Sequence, residues 1–317
     1  MKYGFGIDIG SSTVRFAFFD ETGKLLHKWS IPTPSEYGSA QVLPGIADEL
    51  EQYMNSNRLT EDDILGVGVG IPGPVNSGGT VNRCVNMGWG VFNIDRNLSG
   101  LTGLKVVSSN IANMAALGES WKGCCRGCKD VFYVAMNTGI GGAIISNGHL
   151  VQGAHGGGGE VGHMIVNRQE TESCTCGSKG CVEQYCSPFG IVRVAKRHLA
   201  SVGHTTSTLR FRRHLSHVDV FQAAASGDKT AKEILDKVCQ YAGEMIANVC
   251  CVTNPGTIVL GGELCKYGPQ ILDGTARYFR KYAFHANREV RFELAALGED
   301  APLIGAFKLV LDSAAEE

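Results

Sequence analysis

Gly159-Glu160-Val161-Gly162-His163, followed by Cys174-Thr175-Cys176-Gly177-Ser178-Lys179-Gly180-Cys181-Val182-Glu183, is the stretch around which this chain is organised. One histidine and three cysteines follow the spacing His-x10-Cys-x-Cys-x4-Cys, and glycines let the last loop fold sharply enough for the sulfurs to share a centre. A set of three cysteines and one histidine is typical of a closed, structural zinc site. Four unrelated residues are the alternative, but the tight cysteine spacing favours metal. We therefore expect structural Zn²⁺ bound by His163, Cys174, Cys176 and Cys181.

The composition narrows the class of protein. The chain has 317 residues, 44% of them hydrophobic, which suits two domains or one large α/β unit with a cleft. The net charge is −2, and the short basic run Arg210-Phe211-Arg212-Arg213 is typical of a solvated face, so no nucleic-acid partner is expected. The sequence shows neither a secretory pattern at its start nor a run of about 18 apolar residues. We therefore expect a cytoplasmic protein with no membrane partner.

The cysteines outside the metal stretch are expected to be reduced thiols. The chain has 12 cysteines, and disulfides are rare in a reducing cytoplasm. A second cluster, Cys124-Cys125-Arg126-Gly127-Cys128, has no further pair of ligands nearby. It is therefore interpreted as a reduced surface loop rather than a second zinc site.

The apolar periodicity predicts two α/β halves. In the first half we expect a three-strand meander at 3–31, a helix at 42–54 and a strand at 64–71. A further strand at 106–107 leads into a second helix at 112–121. The second half repeats a hairpin around a glycine turn. It is predicted to contain strands at 131–136, 143–146, 258–260 and 290–295, and helices at 182–200, 218–225, 230–253, 269–284 and 303–314.

Three glycine turns lie at predicted strand ends. They are Asp8-Ile9-Gly10-Ser11-Ser12-Thr13, Asn137-Thr138-Gly139-Ile140-Gly141-Gly142 and Leu260-Gly261-Gly262-Glu263. Backbone N–H groups of such turns can bind phosphate oxygens, and an aspartate can hold Mg²⁺ through water. Each turn alone could simply join two strands, but their recurrence at three strand ends favours a nucleotide site.

Two glutamates, Glu160 and Glu183, flank the metal stretch. Carboxylates beside a cleft bind sugar hydroxyls through charge-assisted hydrogen bonds. Ordinary surface glutamates are an equal alternative on the residues alone.

Taken in order, the Asp8, Asn137, Gly159, Cys174 and Leu260 stretches resemble the signature motifs of the ROK (repressor, open reading frame, kinase) family, and most closely its glucokinase-like members. The resemblance implies an actin/hexokinase-like (ribonuclease-H-like) α/β fold with two lobes around a sugar cleft. We expect a smaller lobe at 1–112 plus 302–317, and a larger lobe at 113–301 that carries the zinc loop. The resemblance also implies an ATP-dependent hexose kinase that uses Mg²⁺ and phosphorylates O6 of glucose or of a relative such as N-acetylmannosamine or allose. A homodimer is implied as well.

The resemblance also assigns site residues by position. The sugar would be bound by Asn110, Glu160, His163 and Glu183, with His163 ligating zinc at the same time. The nucleotide or its phosphates would lie at Asp8, Gly10, Thr13, Thr138, Gly139, Gly261 and Gly262.

The chain departs from the family pattern at one position. The family carries Asn-Asp-x-Asn before its central helix, and the aspartate is the general base; this chain has Asn110-Ile111-Ala112-Asn113. The following Leu117-Gly118-Glu119 fits the family, so the register is secure, and Glu119 is too far along the helix to substitute. Phosphoryl transfer depends mostly on positioning and charge stabilisation. We therefore expect an impaired hexose kinase, with a non-catalytic sugar-binding protein or pseudokinase as the alternative.

Overall fold

The computed structural model describes residues 1–34, 40–84, 87–203 and 206–315. In chain order its strands are β1 (Tyr3–Ile9), β2 (Thr13–Asp20), β3 (Leu25–Pro32), β4 (Ile64–Ile71), β5 (Thr80–Cys84), β6 (Trp89–Asn93), β7 (Val106–Asn110), β8 (Val131–Met136), β9 (Ile140–Ser146), β10 (His149–Leu150), β11 (Thr257–Gly261) and β12 (Arg291–Leu294). Its helices are α1 (Val42–Ser56), α2 (Ile94–Thr102), α3 (Ile111–Lys122), α4 (Glu183–Cys186), α5 (Pro188–Ser201), α6 (His217–Ala225), α7 (Lys229–Thr253), α8 (Pro269–Tyr282) and α9 (Ala301–Ala315).

The first sheet has five strands in the order β3-β2-β1-β4-β7. β1, β2 and β3 form the predicted antiparallel meander, while β4 runs parallel to β1 and β7 runs parallel to β4. Asp8 on β1 stands opposite Gly70 on β4, and Gly70 stands opposite Ser109 on β7. The carboxyl ends of these three strands therefore meet at one edge, where parallel sheets place their ligands.

The second sheet repeats this arrangement in the order β10-β9-β8-β11-β12. β8 and β9 form an antiparallel hairpin, and β11 runs parallel to β8 with Gly261 opposite Ala135. The predicted recurrence of a hairpin around a glycine turn is confirmed. As in the first sheet, a glycine turn and a parallel strand end lie side by side at one edge.

Helices cover both faces of the second sheet. Alternate residues of β8 enter different cores: Phe132, Val134 and Met136 pack among helices α5 to α8, whereas Val131 and Tyr133 pack against α3. A strand points successive side chains to opposite faces, so both faces need an apolar cover. Separate cores lie on the first sheet. The residue bounds given above for two lobes stay a prediction.

The helices α3 and α9 lie in close backbone contact. A Cβ on Gly118 would come within 2.2 Å of the Ala301 carbonyl oxygen, and a Cβ on Gly305 within 1.7 Å of that of Met114. Only glycine tolerates such an approach. α3 also packs on the second sheet, and Phe307 of α9 stacks on Phe19 of the first sheet. This pair of helices therefore joins the two halves of the chain.

Between β4 and β7 the sequence pattern predicts neither a strand nor a helix, whereas the structure has a hairpin and a helix there. β5 and β6 form an antiparallel hairpin, and α2 follows directly. The side chain of Asn93 caps α2 by accepting the backbone N–H of Arg96 over 2.7 Å, which is a sequence signal that could have been used. Within the described ranges, no helix has the length and apolar character needed to cross a membrane.

Candidate functional site

The four predicted metal ligands come together. The ligand atoms of His163, Cys174, Cys176 and Cys181 all lie within 4.8 Å of one another. Nδ1 of His163 is 3.9 Å from Sγ of Cys174, and the sulfurs of Cys176 and Cys181 are 3.7 Å apart. A tetrahedral centre with Zn–S bonds of about 2.3 Å places sulfurs about 3.8 Å apart. The donor set and its spacing therefore fit zinc.

The loop that carries the cysteines is held by its own backbone and by Gln184. The N–H of Cys174 donates to the carbonyl of Ser178 over 2.7 Å. The side-chain oxygen of Gln184 accepts the N–H groups of Gly180 and Cys181, at 2.8 and 3.2 Å, and its amide donates to the Glu172 carbonyl. Gln184 is 7% exposed and was missed at the sequence level, because an amide one residue beyond the motif carries no spacing signal.

A buried carboxylate fastens the same loop to α5. Glu170 accepts hydrogen bonds from Arg197 at 2.7 and 3.0 Å and from the Tyr185 hydroxyl at 2.6 Å, and it forms an ion pair with Arg193. The Arg197 hydrogen bonds, followed by that of Tyr185, hold the pKa of Glu170 far below its usual range. Since Tyr185 belongs to the same short helix as Glu183, this cluster fixes the helix that carries a predicted sugar ligand.

Glu183 links the metal loop to a glycine turn. Its Oε2 accepts the backbone N–H of Ile140 over 3.0 Å, and its Oε1 accepts the Thr175 hydroxyl over 3.3 Å. A Cβ on Gly139 would lie 2.3 Å from Oε2, so the carboxylate lies directly against the backbone of the turn. A predicted sugar ligand and a predicted phosphate turn thus share one wall.

The Glu160 carboxyl differs from Glu183 in having no fixed partner. No donor among the described residues makes a hydrogen bond to it, and burial raises its pKa, while His163 lowers it and Glu183 raises it further. A half-buried carboxylate without a protein partner is suited to accept hydrogen bonds from a bound ligand.

The two glycine turns of the second sheet are joined to each other. The side-chain oxygen of Asn137 accepts the backbone N–H of Glu263 over 2.8 Å. Gly262 has φ +89°, and a Cβ there would come within 2.6 Å of the same Asn137 oxygen. Thr138 lies exposed in the first of these turns, and Gly261 ends β11. The two turns that carry the predicted nucleotide residues of this sheet therefore lie in direct contact.

Asp8 lies at the edge of the first sheet, 3% exposed. Its Oδ2 accepts from Nε of Arg15 over 2.9 Å, whereas its Oδ1 is buried and has no partner among the described residues. Burial raises the pKa of this carboxyl, and the Arg15 charge partly offsets that shift. In the turn that follows, the N–H of Gly10 donates to the Thr13 carbonyl over 2.9 Å.

Position 111 begins α3 at the same sheet edge. Asn110 precedes it as the helix cap, accepting the Ala112 N–H over 2.7 Å and donating to the Gly73 carbonyl over 3.1 Å. The next eight residues of the helix are buried, but Ile111 is only partly buried. Its Cα lies 3.8 Å from where a Cβ on Gly70 would stand. An isoleucine therefore occupies the place at which the family pattern has its base.

Glu119 is excluded as a substitute base by its contacts. It is fully buried, its Oε2 accepts the N–H of Cys124 over 2.9 Å, and its Oε1 accepts the N–H of Leu297 over 2.8 Å. Both oxygens therefore serve the backbone. This agrees with the expectation that Glu119 cannot replace the missing carboxylate.

Contacts between the two sequence halves hold the loop before Glu160 against the elements that carry Asn110. The amide of Gln152 donates to Oγ of Ser109 over 2.8 Å, and the Asn113 amide donates to the same oxygen over 3.0 Å. A Cβ on Gly156 would lie 2.3 Å from the Val75 carbonyl carbon. The loop leading to Glu160 therefore packs against β7 and the start of α3. Gln152 and Ser109 were missed at the sequence level, since neither belongs to a motif.

Comparisons with known proteins find similar sequences and similar folds over nearly the whole chain. The sequence model of the ROK family matches residues 4–313. A glucokinase of Halalkalibacterium halodurans is 36% identical over 309 residues, covering 96% of this chain and 94% of the relative. A xylose repressor of Caldicellulosiruptor bescii is 26% identical and covers 96% of this chain and 77% of the relative. The crystal structure of a ROK family glucokinase from Streptomyces griseus with glucose and AMPPNP has a TM-score of 0.75 at 29% identity, covering 97% and 98% of the two chains.

Proposed function

This chain belongs to the ROK family, and we propose that it is a hexose kinase scaffold that binds a glucose-like sugar and ATP with Mg²⁺ but transfers the phosphoryl group slowly. The predicted actin/hexokinase-like fold is confirmed by the similarity to solved ROK sugar kinases. Slow phosphoryl transfer is proposed because Ile111 stands where the family has a carboxylate.

One observation carries the sugar site. Glu183 lies against Gly139 while also receiving a hydrogen bond from the metal loop at Thr175. A carboxylate for sugar hydroxyls, a turn for phosphates and the metal loop therefore meet within a few ångströms. The proposed sugar site also includes Asn110, Glu160 and His163, and it would hold a sugar beside the phosphoryl donor.

The cofactors are part of the proposal. Zinc would be held by His163 and the three cysteines and would fix the loop; if the ring ligates through Nδ1, its Nε2 is left for the sugar. Mg²⁺ would be held at Asp8, whose Oδ1 is buried without a partner among the described residues. That ion, bound with ATP, supplies charge stabilisation to the phosphates.

The missing carboxylate limits the rate rather than the binding. General base assistance typically contributes about 10²- to 10⁴-fold, so the positioning groups alone would leave slow transfer to O6. A second candidate, a sugar-binding protein without turnover, is favoured by the same residue, Ile111. We also propose a homodimer in the cytoplasm, with no nucleic-acid partner.

A sugar panel measured for binding and turnover together tests these proposals. Calorimetry would give the affinity for each hexose, and coupled ADP release would give the rate. Slow, sugar-dependent ADP formation supports the impaired kinase. Binding with no ADP above background supports the sugar-binding alternative, and the absence of binding for every sugar contradicts both.

A further inference from the structure

The segment between α3 and β8 carries three cysteines, and the proposed function uses none of them. Cys124, Cys125 and Cys128 follow the glycine that ends α3, and all three belong to or pack against the hydrophobic cluster between α3 and the second sheet. Cys124 and Cys128 are partly buried, whereas Cys125 is fully buried. The segment that was expected as a surface loop therefore has one thiol in the core and two that solvent can reach.

The backbone of this segment forms a closed turn. The N–H of Cys128 donates to the carbonyl of Cys125 over 3.0 Å, and Gly127 between them has φ +78°. The N–H of Gly127 donates to the Ser120 carbonyl over 3.1 Å, which fixes the turn to α3. The first and last Cα atoms of such a turn lie within about 7 Å of each other. Disulfides usually join Cα atoms about 4.4 to 6.8 Å apart, so this backbone suits a bond between Cys125 and Cys128.

The Cys128 sulfur lies beside a positive charge. It accepts a hydrogen bond from Nη2 of Arg291 over 3.2 Å, and Oγ1 of Thr257 lies 3.7 Å away. Reactive cysteines are typically found at partly exposed positions beside arginine, because the thiolate is the form that attacks. The hydrogen bond between the thiols of Cys124 and Cys125 lowers the pKa of Cys125, an effect that burial opposes and the Arg291 charge supports. Cys128 is thus placed to react with a reagent from solvent, and the buried Cys125 to react with Cys128.

We propose that Cys125 and Cys128 form a redox modification site, which low-molecular-weight disulfides such as glutathione disulfide convert to an intramolecular disulfide. The Cys128 thiolate attacks one sulfur of glutathione disulfide, which breaks that S–S bond and releases one glutathione thiolate. The Cys125 thiolate then attacks the Cys128 sulfur of the mixed disulfide and releases the second glutathione thiolate. The two cysteine protons end on the two glutathione thiols, so two protein thiols are oxidised and one glutathione disulfide is reduced. This site does not depend on the proposed sugar site.

Peptide mapping tests the proposal, because trypsin cleaves after Arg126 and so separates Cys125 from Cys128. The zinc-loaded full chain is equilibrated with mixtures of reduced and oxidised glutathione, the remaining thiols are blocked by alkylation, and the digest is analysed by mass spectrometry. We expect the peptides 123–126 and 127–129 to be joined in a fraction that rises with the share of oxidised glutathione. Reduction with dithiothreitol should separate them again.

Substitutions assign the bond to its two cysteines. Cys124→Ser should retain the joined peptides, whereas Cys125→Ala and Cys128→Ser should each lose them. Alanine is used at position 125 because a small apolar residue suits the buried site better than a hydroxyl. Cys251→Ser removes an exposed cysteine near the end of α7, so it is the matched control and should leave the joined fraction unchanged.

Three results would overturn the proposal. A disulfide within peptide 123–126, or joined peptides that persist in Cys125→Ala, would show that Cys124 is a partner instead. Cys128 that stops at the mixed disulfide with glutathione would remove the role of Cys125. Peptides that stay fully reduced at every glutathione ratio, while Cys251 becomes glutathionylated, would show that the turn is not a redox site.

Discussion

The side-chain oxygen of Asn110 accepts the backbone N–H of Ala112 over 2.7 Å, and this cap fixes where residue 111 stands. Residue 111 lies between the two partners of the cap, at the carboxyl edge of the first sheet. Its backbone position does not depend on its own side chain. A substitution there should therefore change the chemistry of the site while leaving the helix start intact.

The first prediction follows because the backbone at residue 111 does not depend on the side chain there. Ile111→Asp should raise kcat for glucose-dependent ADP formation about 10²-fold or more, since a base acts mainly in the transition state. The measurement is kcat at saturating glucose by coupled ADP release. Ile111→Asn is the matched control, because it has nearly the same shape without the basicity, and it should give no such gain. A folded, sugar-binding Ile111→Asp protein with unchanged kcat would show that the cleft has diverged elsewhere.

Some of the site was predictable because its chemistry is local in sequence. The zinc ligands Cys174, Cys176 and Cys181 lie on one short loop, so their spacing alone predicts that they can meet. The glycine turns were predictable for the same reason, because glycine-rich stretches that follow apolar runs mark turns at strand ends, although among these glycines only Gly262 has a positive φ, of +89°.

The contacts that hold the site residues in place could not be predicted from the sequence. The pairing of Glu170 with Arg193 and Arg197 joins a loop to the middle of a helix, and no motif marks either side. The contact of Gln152 with Ser109 crosses between the two halves of the chain. Such contacts depend on how elements pack in space, which periodicity does not encode.

The second prediction concerns the metal. Protein purified without added zinc should contain about one zinc per chain, and Cys181→Ser should lower this to near zero and lower the Tm, because structural zinc contributes directly to folding. Metal analysis and thermal unfolding provide the two readouts. Cys251→Ser changes an exposed cysteine outside the cluster and should retain full zinc. Undiminished zinc in Cys181→Ser would contradict the proposed ligand set.

The third prediction separates the nucleotide end from the sugar end. Asp8→Asn should weaken binding of a non-hydrolysable ATP analogue with Mg²⁺ about 10- to 100-fold, the size of a lost charged hydrogen bond, while sugar affinity changes little. Calorimetry with each ligand measures both. Glu299→Gln is the control, because Glu299 is also paired with Arg15 but its side chain is 92% exposed. A large loss of sugar affinity in Asp8→Asn would argue against this division.

The fourth prediction concerns Glu119. Glu119→Gln replaces one carboxylate oxygen by an amide group, so one of the N–H groups of Cys124 and Leu297 loses its acceptor. We expect the free energy of unfolding to fall by about 1–3 kcal/mol, with sugar affinity unchanged. Urea unfolding measures the first and calorimetry the second. Glu51→Gln on the exposed face of α1 should be neutral. A stable variant that lost only turnover would instead make Glu119 catalytic.

The last prediction uses Asp95, a buried carboxyl in the first turn of α2. A Cβ on Gly79 would come within 2.2 Å of its Cγ, and its Oδ1 has no partner among the described residues. Burial raises the pKa of Asp95 to about 6 from an ordinary value of 3.8, with Ser108 partly offsetting the shift. The native state therefore binds more protons than the unfolded state between about pH 4 and pH 6.

The sign of the pH effect follows from this difference. Stability contributed by the neutral Asp95 is fully present below pH 3.8 and is lost as pH rises through about 6. Two pKa units correspond to about 3 kcal/mol. Asp95→Asn stays neutral at every pH, so its stability relative to the unmodified protein should rise by about that amount between pH 4 and pH 7. Urea unfolding of both proteins at several pH values measures the difference in stability. Any loss of zinc that is common to both proteins cancels in this difference. The exposed Asp48→Asn should show no such trend, and a pH-independent difference for Asp95→Asn would show that its carboxyl is solvated and ionised throughout.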